Sequence, residues 1–214
     1  MSNDRDEKRM PPTGRKAEQA AASRQALVAS ARALFEAKGY AASSTEEVLQ
    51  STGLTRGALY HHFRDKRALF EAVCDQIHGE LVDAIERATL GIEDPRQSLR
   101  RGARAWLDAA SAPARARVLL VDAPAVLGAA GWREIDERHG FAALREAVRR
   151  LRGDGGKGHR HDDGVRSRGR DDARAVALNG AINELATWVA GDTARMKPAL
   201  STLDLLIDAI AAQG

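Results

Sequence analysis

The residues of this sequence best suited to binding a partner lie close together between residues 44 and 66. Thr55 stands where a short helix would begin, so its hydroxyl and nearby backbone N–H groups could hold a phosphate or cap the helix. Arg56 follows in the first turn and could bind a guanine bidentately, or bind phosphate alone. Gly57 and Ala58 are small enough for close approach to a groove, and the Ala58 methyl could contact a thymine methyl.

Two short helices and a tight turn are predicted to position these side chains. Ser44 and Glu47 have the spacing of a capping box and predict a helix over residues 45–51 that stops at Gly53. A second short helix is predicted over residues 56–62, and longer helices flank the pair. Two helices of about two turns, joined by a turn of three or four residues, have helix-turn-helix geometry.

The stretch from Ser44 to Phe70 contains Gly-Leu-Thr-x-x-x-Leu-Tyr-x-His-Phe-x-x-Lys and resembles the DNA-binding domain of TetR/AcrR-type transcriptional regulators. The resemblance covers about residues 24–75. It implies phosphate contacts for Tyr60 and Lys66 and a base or backbone contact for His61, with a core position as the competing interpretation of Tyr60. The candidate DNA-contacting residues are Ser44, Thr55, Arg56, Gly57, Ala58, Tyr60, His61 and Lys66.

Composition and charge agree with a helical, nucleic-acid-binding chain. The 214 residues are 29% charged, 43% hydrophobic and only 4% aromatic, which favours an all-helical fold over a disordered chain or a β-sandwich. Residues 1–70 carry a net charge of +4 and the remainder −1, so the positive excess lies in the part that holds the motif.

Cysteine content and hydropathy give an expectation for the compartment. Cys74 is the single cysteine and cannot form an internal disulfide, which favours a reducing environment. No apolar run has the length of a signal peptide or a membrane span. We therefore expect a cytoplasmic protein without a membrane partner.

The predicted fold class is all-α, with an N-terminal three-helix helix-turn-helix domain followed by a C-terminal helical regulatory and dimerisation domain. Residues 1–22 are expected to form a disordered arm, residues 23–70 the DNA-binding domain and residues 71–214 the second domain. Residues 153–170 are polar and glycine-rich and predict a flexible loop, or a segment rewritten by a change of reading frame. The histidines and aspartates at 159–163 are expected to be solvated, with no metal bound.

Apolar periodicity and proline starts predict the helices of the second domain. A stop is expected at Ala123-Pro124, and residues 125–131 could be a short helix or a loop. Residues 132–152 could be one longer helix or a helix pair broken near Gly140. The predicted helical stretches are residues 95–111, 114–122, 125–131, 132–152, 172–190 and 198–212.

The resemblance implies two further properties of this domain. The last two helices would pair with those of a second copy, so that a homodimer sets two recognition helices about one turn of DNA apart on a pseudo-palindrome. A small-molecule pocket, mainly apolar, would lie among the central helices. Its candidate lining residues are Trp106, Leu120, Asp122, Trp132, His139, Phe141, Leu144 and Asn183.

These observations predict a ligand-responsive transcriptional regulator without a cofactor, and repression is implied by the resemblance alone. One alternative is a DNA-binding regulator controlled by a protein partner, which a fully packed central domain would favour. Another is an enzyme with an appended helix-turn-helix, in which Asp122, His139 and Glu146 would form an acid/base set. No nucleophile elbow, phosphate loop, dinucleotide fingerprint or two-histidine metal motif supports that hypothesis, so we expect no enzymatic activity.

Overall fold

A computed structural model describes residues 12–153 and 161–212, and within these ranges the chain forms ten α-helices and no strand. None of these helices is long and apolar enough to cross a membrane. Short π-helical segments and one 3₁₀ turn connect some of them. The helices are α1 Pro12–Lys38, α2 Thr45–Thr52, α3 Arg56–His62, α4 Lys66–Thr89, α5 Pro95–Ala110, α6 Pro113–Ala116, α7 Ala123–Asp136, α8 Ala142–Leu151, α9 His161–Val189 and α10 Met196–Ala212.

The chain divides into two compact units, one up to Val73 and one from Cys74 on. The division falls three residues after the expected boundary at residue 70. Phe70 and Val73 explain the difference, because both are completely buried and extend the core of the first unit into α4.

The first unit is held together by an aromatic cluster and by leucines. The ring centroids of Phe35 and Phe70 are 5.1 Å apart, and those of Tyr40 and Phe70 are 4.8 Å apart, both close to edge-to-face. Leu27 and Leu59 of the same unit are fully buried. The buried residues of α3 hold this helix against the core, and the opposite face of α3 remains exposed.

The predicted disordered arm is wrong over the residues that the structure describes, because α1 begins at Pro12. Proline suits the first helical position, where its missing N–H has no partner to lose. Four alanines follow between residues 17 and 22, and alanine has the highest intrinsic helix propensity. Most of this first part of α1 is exposed, so propensity rather than burial accounts for the helix. Residues 1–11 of the arm lie outside the described residues.

In the second unit, α5 packs against α8, α9 and α10. Leu107 of α5, Leu178 of α9 and Leu203 of α10 are buried. The predicted helix at residues 95–111 is confirmed by α5, which ends at Ala110.

The predicted stop at Ala123-Pro124 is wrong, since the chain continues from α6 through a π-helical segment, Arg117–Asp122, into α7. In the π turn the Ala123 N–H donates to the Val118 carbonyl, five residues back. Pro124 then lies in the first turn of α7, where a missing N–H is tolerated. A kink at Gly128, with φ 75°, bends α7. Near Gly140 the chain also stays helical, through a second π-helical segment, Glu137–Phe141. Of the two predicted forms of residues 132–152, the continuous helix rather than the broken pair is therefore the closer one.

The predicted loop at residues 153–170 is wrong from residue 161 on, because α9 begins at His161, well before the expected start at residue 172. Just before the expected start, Asp171 of α9 is 2% exposed and bound by two arginines. Arg152 Nε and Arg174 Nη1 each lie 2.9 Å from Asp171 Oδ1. Residues 154–160, and with them the possible frame change, lie outside the described residues.

The turn between α2 and α3 gives a prediction about stability. Gly53 has φ 67° and Gly57 lies within α3. We expect Gly53→Ala to lower the free energy of unfolding by about 1 kcal/mol, because a Cβ disfavours the left-handed region. Gly57→Ala is the matched control: its Cβ would meet Thr55 Oγ1 at an ordinary 3.9 Å, and removing a helical glycine is expected to be neutral or stabilising. Urea denaturation measures both; losses of the same size would contradict the prediction.

Candidate nucleic-acid interface and central cavity

The α2–turn–α3 segment is built by local hydrogen bonds that the sequence predicts. The Ser44 N–H donates to Glu47 Oε2 at 2.9 Å, and the Glu47 N–H donates to Ser44 Oγ at 3.3 Å, so the capping box is present. The side chains of Lys38 and Ser44 donate hydrogen bonds to the Glu47 carboxylate and hold its pKa below the usual value. Thr55 Oγ1 accepts a hydrogen bond from the Ala58 N–H at 3.2 Å and caps α3. Ser44 and Thr55 are therefore caps, the role that the sequence allowed beside phosphate binding.

One side of α3 is buried and the other is exposed. Leu59 is completely buried and Phe63, at the end of the helix, is 4% exposed. Tyr60 is 47% exposed, which excludes the core position considered for it. The exposed residues, which we call the α3 surface, are Thr55, Arg56, Gly57, Tyr60 and His61, and Ala58 is half-buried at its edge. All of these are predicted DNA-contacting residues.

Arg56 is held by an ion pair in the DNA-free chain. Its Nη2 lies 2.5 Å from Glu46 Oε1, and the two side chains are 65% and 60% exposed. Pairs this exposed contribute little to stability because water and salt screen them. The arginine can therefore exchange the carboxylate for another acceptor at small cost.

Lys66 at the start of α4 is tied to the segment that follows α1. Its Nζ donates to the Tyr40 carbonyl at 2.5 Å and lies 4.1 Å from the centre of the Tyr40 ring. Burial raises the pKa of the Tyr40 phenol, and the negative charge of Asp65 raises it further. Lys66 thus has a structural partner besides the phosphate that the resemblance implies.

His62 gives a pH prediction for the first unit. Burial lowers the pKa of His62 below its ordinary value of 6.5, with further lowering by the charges of His61 and Arg24. A lowered histidine pKa does not change the free energy of unfolding above about pH 6.5. At lower pH the free energy of unfolding falls, because the unfolded chain binds the proton more readily than the folded chain. We expect the thermal midpoint to fall less in His62→Gln than in the unsubstituted protein between about pH 7.5 and pH 5.5. Equal falls in both proteins would contradict this.

The second unit contains a cavity of about 350 Å³. This volume is at the lower end of the range for small-molecule sites. It lies among α4, α5, α8 and α9, and most of its lining is apolar. Val82, Leu99, Trp106 and Leu144 belong to this apolar lining.

Two of the eight predicted ligand-binding residues, Trp106 and Leu144, line this cavity. The other six are not among the residues that line this cavity, so ligand binding by them stays a prediction, and two of them have packing partners of their own. His139 Nε2 is hydrogen-bonded to Asp75 Oδ1 at 2.9 Å, and Trp132 stacks edge-to-face on His78 at 4.9 Å. The six residues are Leu120, Asp122, Trp132, His139, Phe141 and Asn183.

Sequence reasoning missed the polar end of the cavity, which Asp136 and Asn179 form. Asn179 Nδ2 donates to Asp136 Oδ2 at 2.6 Å, and Asp136 is 7% exposed. His78 is completely buried, and its Nε2 lies 3.8 Å from Asp136 Oδ1. Asn179 lies four residues after the buried Ala175 and three before the buried Ile182, on the inward face of α9. A polar residue at that spacing was the signal available in the sequence.

Comparisons with known proteins agree with this geometry. The family model of bacterial regulatory proteins of the tetR family matches residues 27–73, and the model of the tetracyclin repressor-like C-terminal domain matches residues 96–210. The transposon Tn10 TetC protein of Escherichia coli is 48% identical over 52 residues, which are 24% of this chain and 26% of that protein. The HTH-type transcriptional repressor Rv1474c of Mycobacterium tuberculosis is 43% identical over 53 residues, which are 25% and 28%. The chain thus spans about a quarter of the length of these curated relatives.

Solved structures are similar over nearly the whole chain. A TetR-family transcriptional regulator from Pectobacterium atrosepticum is 31% identical with a TM-score of 0.69, and the match covers 90% of this chain and 96% of that one. RolR in complex with resorcinol is 14% identical with a TM-score of 0.65, covering 92% and 97%. At that identity the second likeness shows the fold alone.

Proposed function

The chain belongs to the tetR family of bacterial regulatory proteins, and from that premise we propose that it is a transcriptional regulator that binds operator DNA through the α3 surface. The observation that carries the proposal is the division of α3, with Leu59 buried in the core while Arg56 and Tyr60 face solvent. A helix held in this way can enter the major groove without disturbing its own packing. Repression is the direction we propose, since Rv1474c is described as a repressor.

The proposal is tested by fluorescence anisotropy with the DNA that flanks the protein's own gene, across a range of salt concentrations. We expect tight, palindrome-dependent binding that weakens with salt. Binding releases counterions from the DNA, and this release is less favourable when the salt concentration is high. Tyr60→Phe, which removes only the hydroxyl, and Lys66→Ala are both expected to weaken it, and Lys66→Ala to reduce the salt slope by about one. Arg133→Ala, an exposed arginine of the second unit, is the control and should change nothing. Binding without sequence preference, or no binding by the folded protein, would overturn the proposal.

We also propose that the regulator is a homodimer, joined through α9 and α10. The large apolar residues of α9 and α10 divide into two groups. Leu178, Ile182 and Leu203 are buried within the chain, whereas Trp188 and Leu206 remain 44% and 37% exposed. Further large apolar residues exposed on these helices are Val176 and Leu205. Exposed apolar surface concentrated on two helices favours burial against a second copy.

The dimer predicts the effect of a charge on this face. We expect Leu205→Asp, at a position 71% exposed within the chain, to convert the dimer to a monomer and to weaken operator binding, because two half-sites need two linked copies. Leu90→Asp is the matched control, since Leu90 is 85% exposed but lies outside α9 and α10, and it should leave the dimer intact. Sedimentation velocity measures both; two monomeric variants or two dimeric variants would contradict the assignment.

A small-molecule effector, rather than a protein partner, is the regulator that we propose for the second unit. The cavity of about 350 Å³ supports it, since a fully packed domain would leave nowhere for a ligand. Binding there would shift the population between DNA-binding and released forms of the dimer. The solved structure of RolR, which shares the fold, contains the small aromatic ligand resorcinol. We propose no enzymatic reaction for the chain.

A further inference from the structure

The wall of the central cavity carries an excess of acidic groups. Among the described residues that line it, Glu86, Glu93, Asp136 and Glu146 are acidic and only Arg150 is basic. Arg150 Nε lies 3.4 Å from Glu146 Oε1, so these two charges offset each other. The remaining carboxylates make the cavity attractive to a cation and repellent to an anion.

Asp136 is the least exposed of these acidic residues, so water screens its negative charge least. Its Oδ2 accepts a hydrogen bond from Asn179, whereas the nearest basic nitrogen to Oδ1 among the described residues is His78 Nε2 at 3.8 Å, beyond hydrogen-bond distance. An ionised carboxylate has about four acceptor sites, and burying its charge is costly unless it is paired. Asp136 therefore retains acceptor capacity at the cavity wall.

We propose that the effector of this cavity is a small apolar amine whose protonated nitrogen binds Asp136. Its apolar body would lie against Val82, Leu99 and Leu144, which line the same space. Trp106, 6% exposed and also in the lining, adds an aromatic surface that attracts cations. The cavity volume of about 350 Å³ suits a ligand of about a dozen non-hydrogen atoms, since a water-sized group takes about 30 Å³. This inference rests on the proposed function, because it names the chemical class of the effector.

Calorimetric titration with three compounds that share one body and differ in the polar end tests the inference: phenylbutylamine, phenylbutanol and phenylbutyrate. In the unsubstituted protein we expect the amine to bind at least about tenfold more tightly than the alcohol, and the acid to bind weakest. Asp136→Asn keeps the size of the side chain, and we expect it to weaken the amine about tenfold while changing the alcohol much less. Equal binding of amine and alcohol, tightest binding of the acid, or no binding of any of the three overturns the inference.

Two further variants establish where the compounds bind and which carboxylate holds the amine. Ala147→Phe places a large ring at the cavity lining and should abolish binding of all three compounds; binding that persists would place the ligand elsewhere and overturn the inference. Glu86→Gln removes an exposed carboxylate of the lining and should change amine binding by less than about twofold, because exposed charges are screened. If Asp136→Asn fails to fold, the comparison of the three compounds in the unsubstituted protein still tests the inference.

The same preparations separate this inference from the proposed function. Operator binding by the ligand-free protein is measured by anisotropy, which does not depend on the compounds. Specific DNA binding together with a preference for the alcohol or the acid would overturn the ligand class and leave the regulator in place. Amine binding by a folded protein that binds no DNA would support the ligand class and overturn the proposed regulator.

Discussion

Arg56→Ala is expected to weaken operator binding by roughly 10- to 100-fold, the range for removing an arginine that reads a base bidentately. Arg56 lies in the first turn of α3, is 65% exposed and makes an ion pair with Glu46 that water already weakens. The variant should also bind more evenly to operators changed at one base pair, because the discrimination at that position is lost. Anisotropy titrations against the original and the changed operator measure both effects.

Arg64→Ala is the matched control for this result, since it removes the same charge from the same unit. Arg64 is 73% exposed and lies 3.4 Å from Asp65. We expect it to weaken binding to every sequence by a similar, smaller factor. If Arg56→Ala and Arg64→Ala lose equal affinity and keep the same sequence preference, Arg56 acts only as a positive charge near phosphate.

Glu46→Gln tests the same ion pair from its other side. The carboxylate competes with DNA for Arg56, so its removal should tighten operator binding severalfold and leave the free energy of unfolding nearly unchanged. Weaker DNA binding by Glu46→Gln would indicate that the carboxylate orients Arg56 for binding.

Asp171→Ala is expected to cost about 3 kcal/mol of unfolding free energy, the largest stability effect that we predict for a single substitution. Asp171 is 2% exposed and accepts contacts from Arg152 and Arg174 at 2.9 Å each. Removing it leaves two arginines without their buried anion, which costs 3 to 5 kcal/mol at fully buried sites, about 3 being the lower end. We expect the lower end because these arginines are 11% and 19% exposed and can move toward water. Urea denaturation with an unchanged m-value is the measurement.

The neighbouring Asp172→Ala is the control for this experiment. Asp172 also binds an arginine, with Arg149 Nη2 2.8 Å from its Oδ1, but its side chain is 44% exposed. An exposed pair of this kind contributes about 1 kcal/mol or less. If the two variants lose similar amounts of unfolding free energy, the burial of Asp171 does not make its ion pairs more stabilising than that of Asp172.

The two units differ in how much of their function-related structure can be predicted from the sequence. In the first unit the spacing predicted α3 with its correct bounds and predicted the capping box at Ser44. The choice between core and surface for Tyr60 needed the structure, since Leu59 and Phe63 had to be seen filling the interior. In the second unit the sequence predicted most of the helices, but six of the eight predicted ligand residues are not among those that line the cavity.

The all-helical class and the helix-turn-helix could be predicted from the sequence, because caps, a left-handed glycine and apolar spacing act between residues a few positions apart. The contact of Asp136 with Asn179, 43 residues apart in sequence, and the ion pair of Arg152 with Asp171 are visible only in the folded chain. These contacts join residues on different helices. No local periodicity records which helix faces will meet, so the cavity and its polar end follow from packing alone.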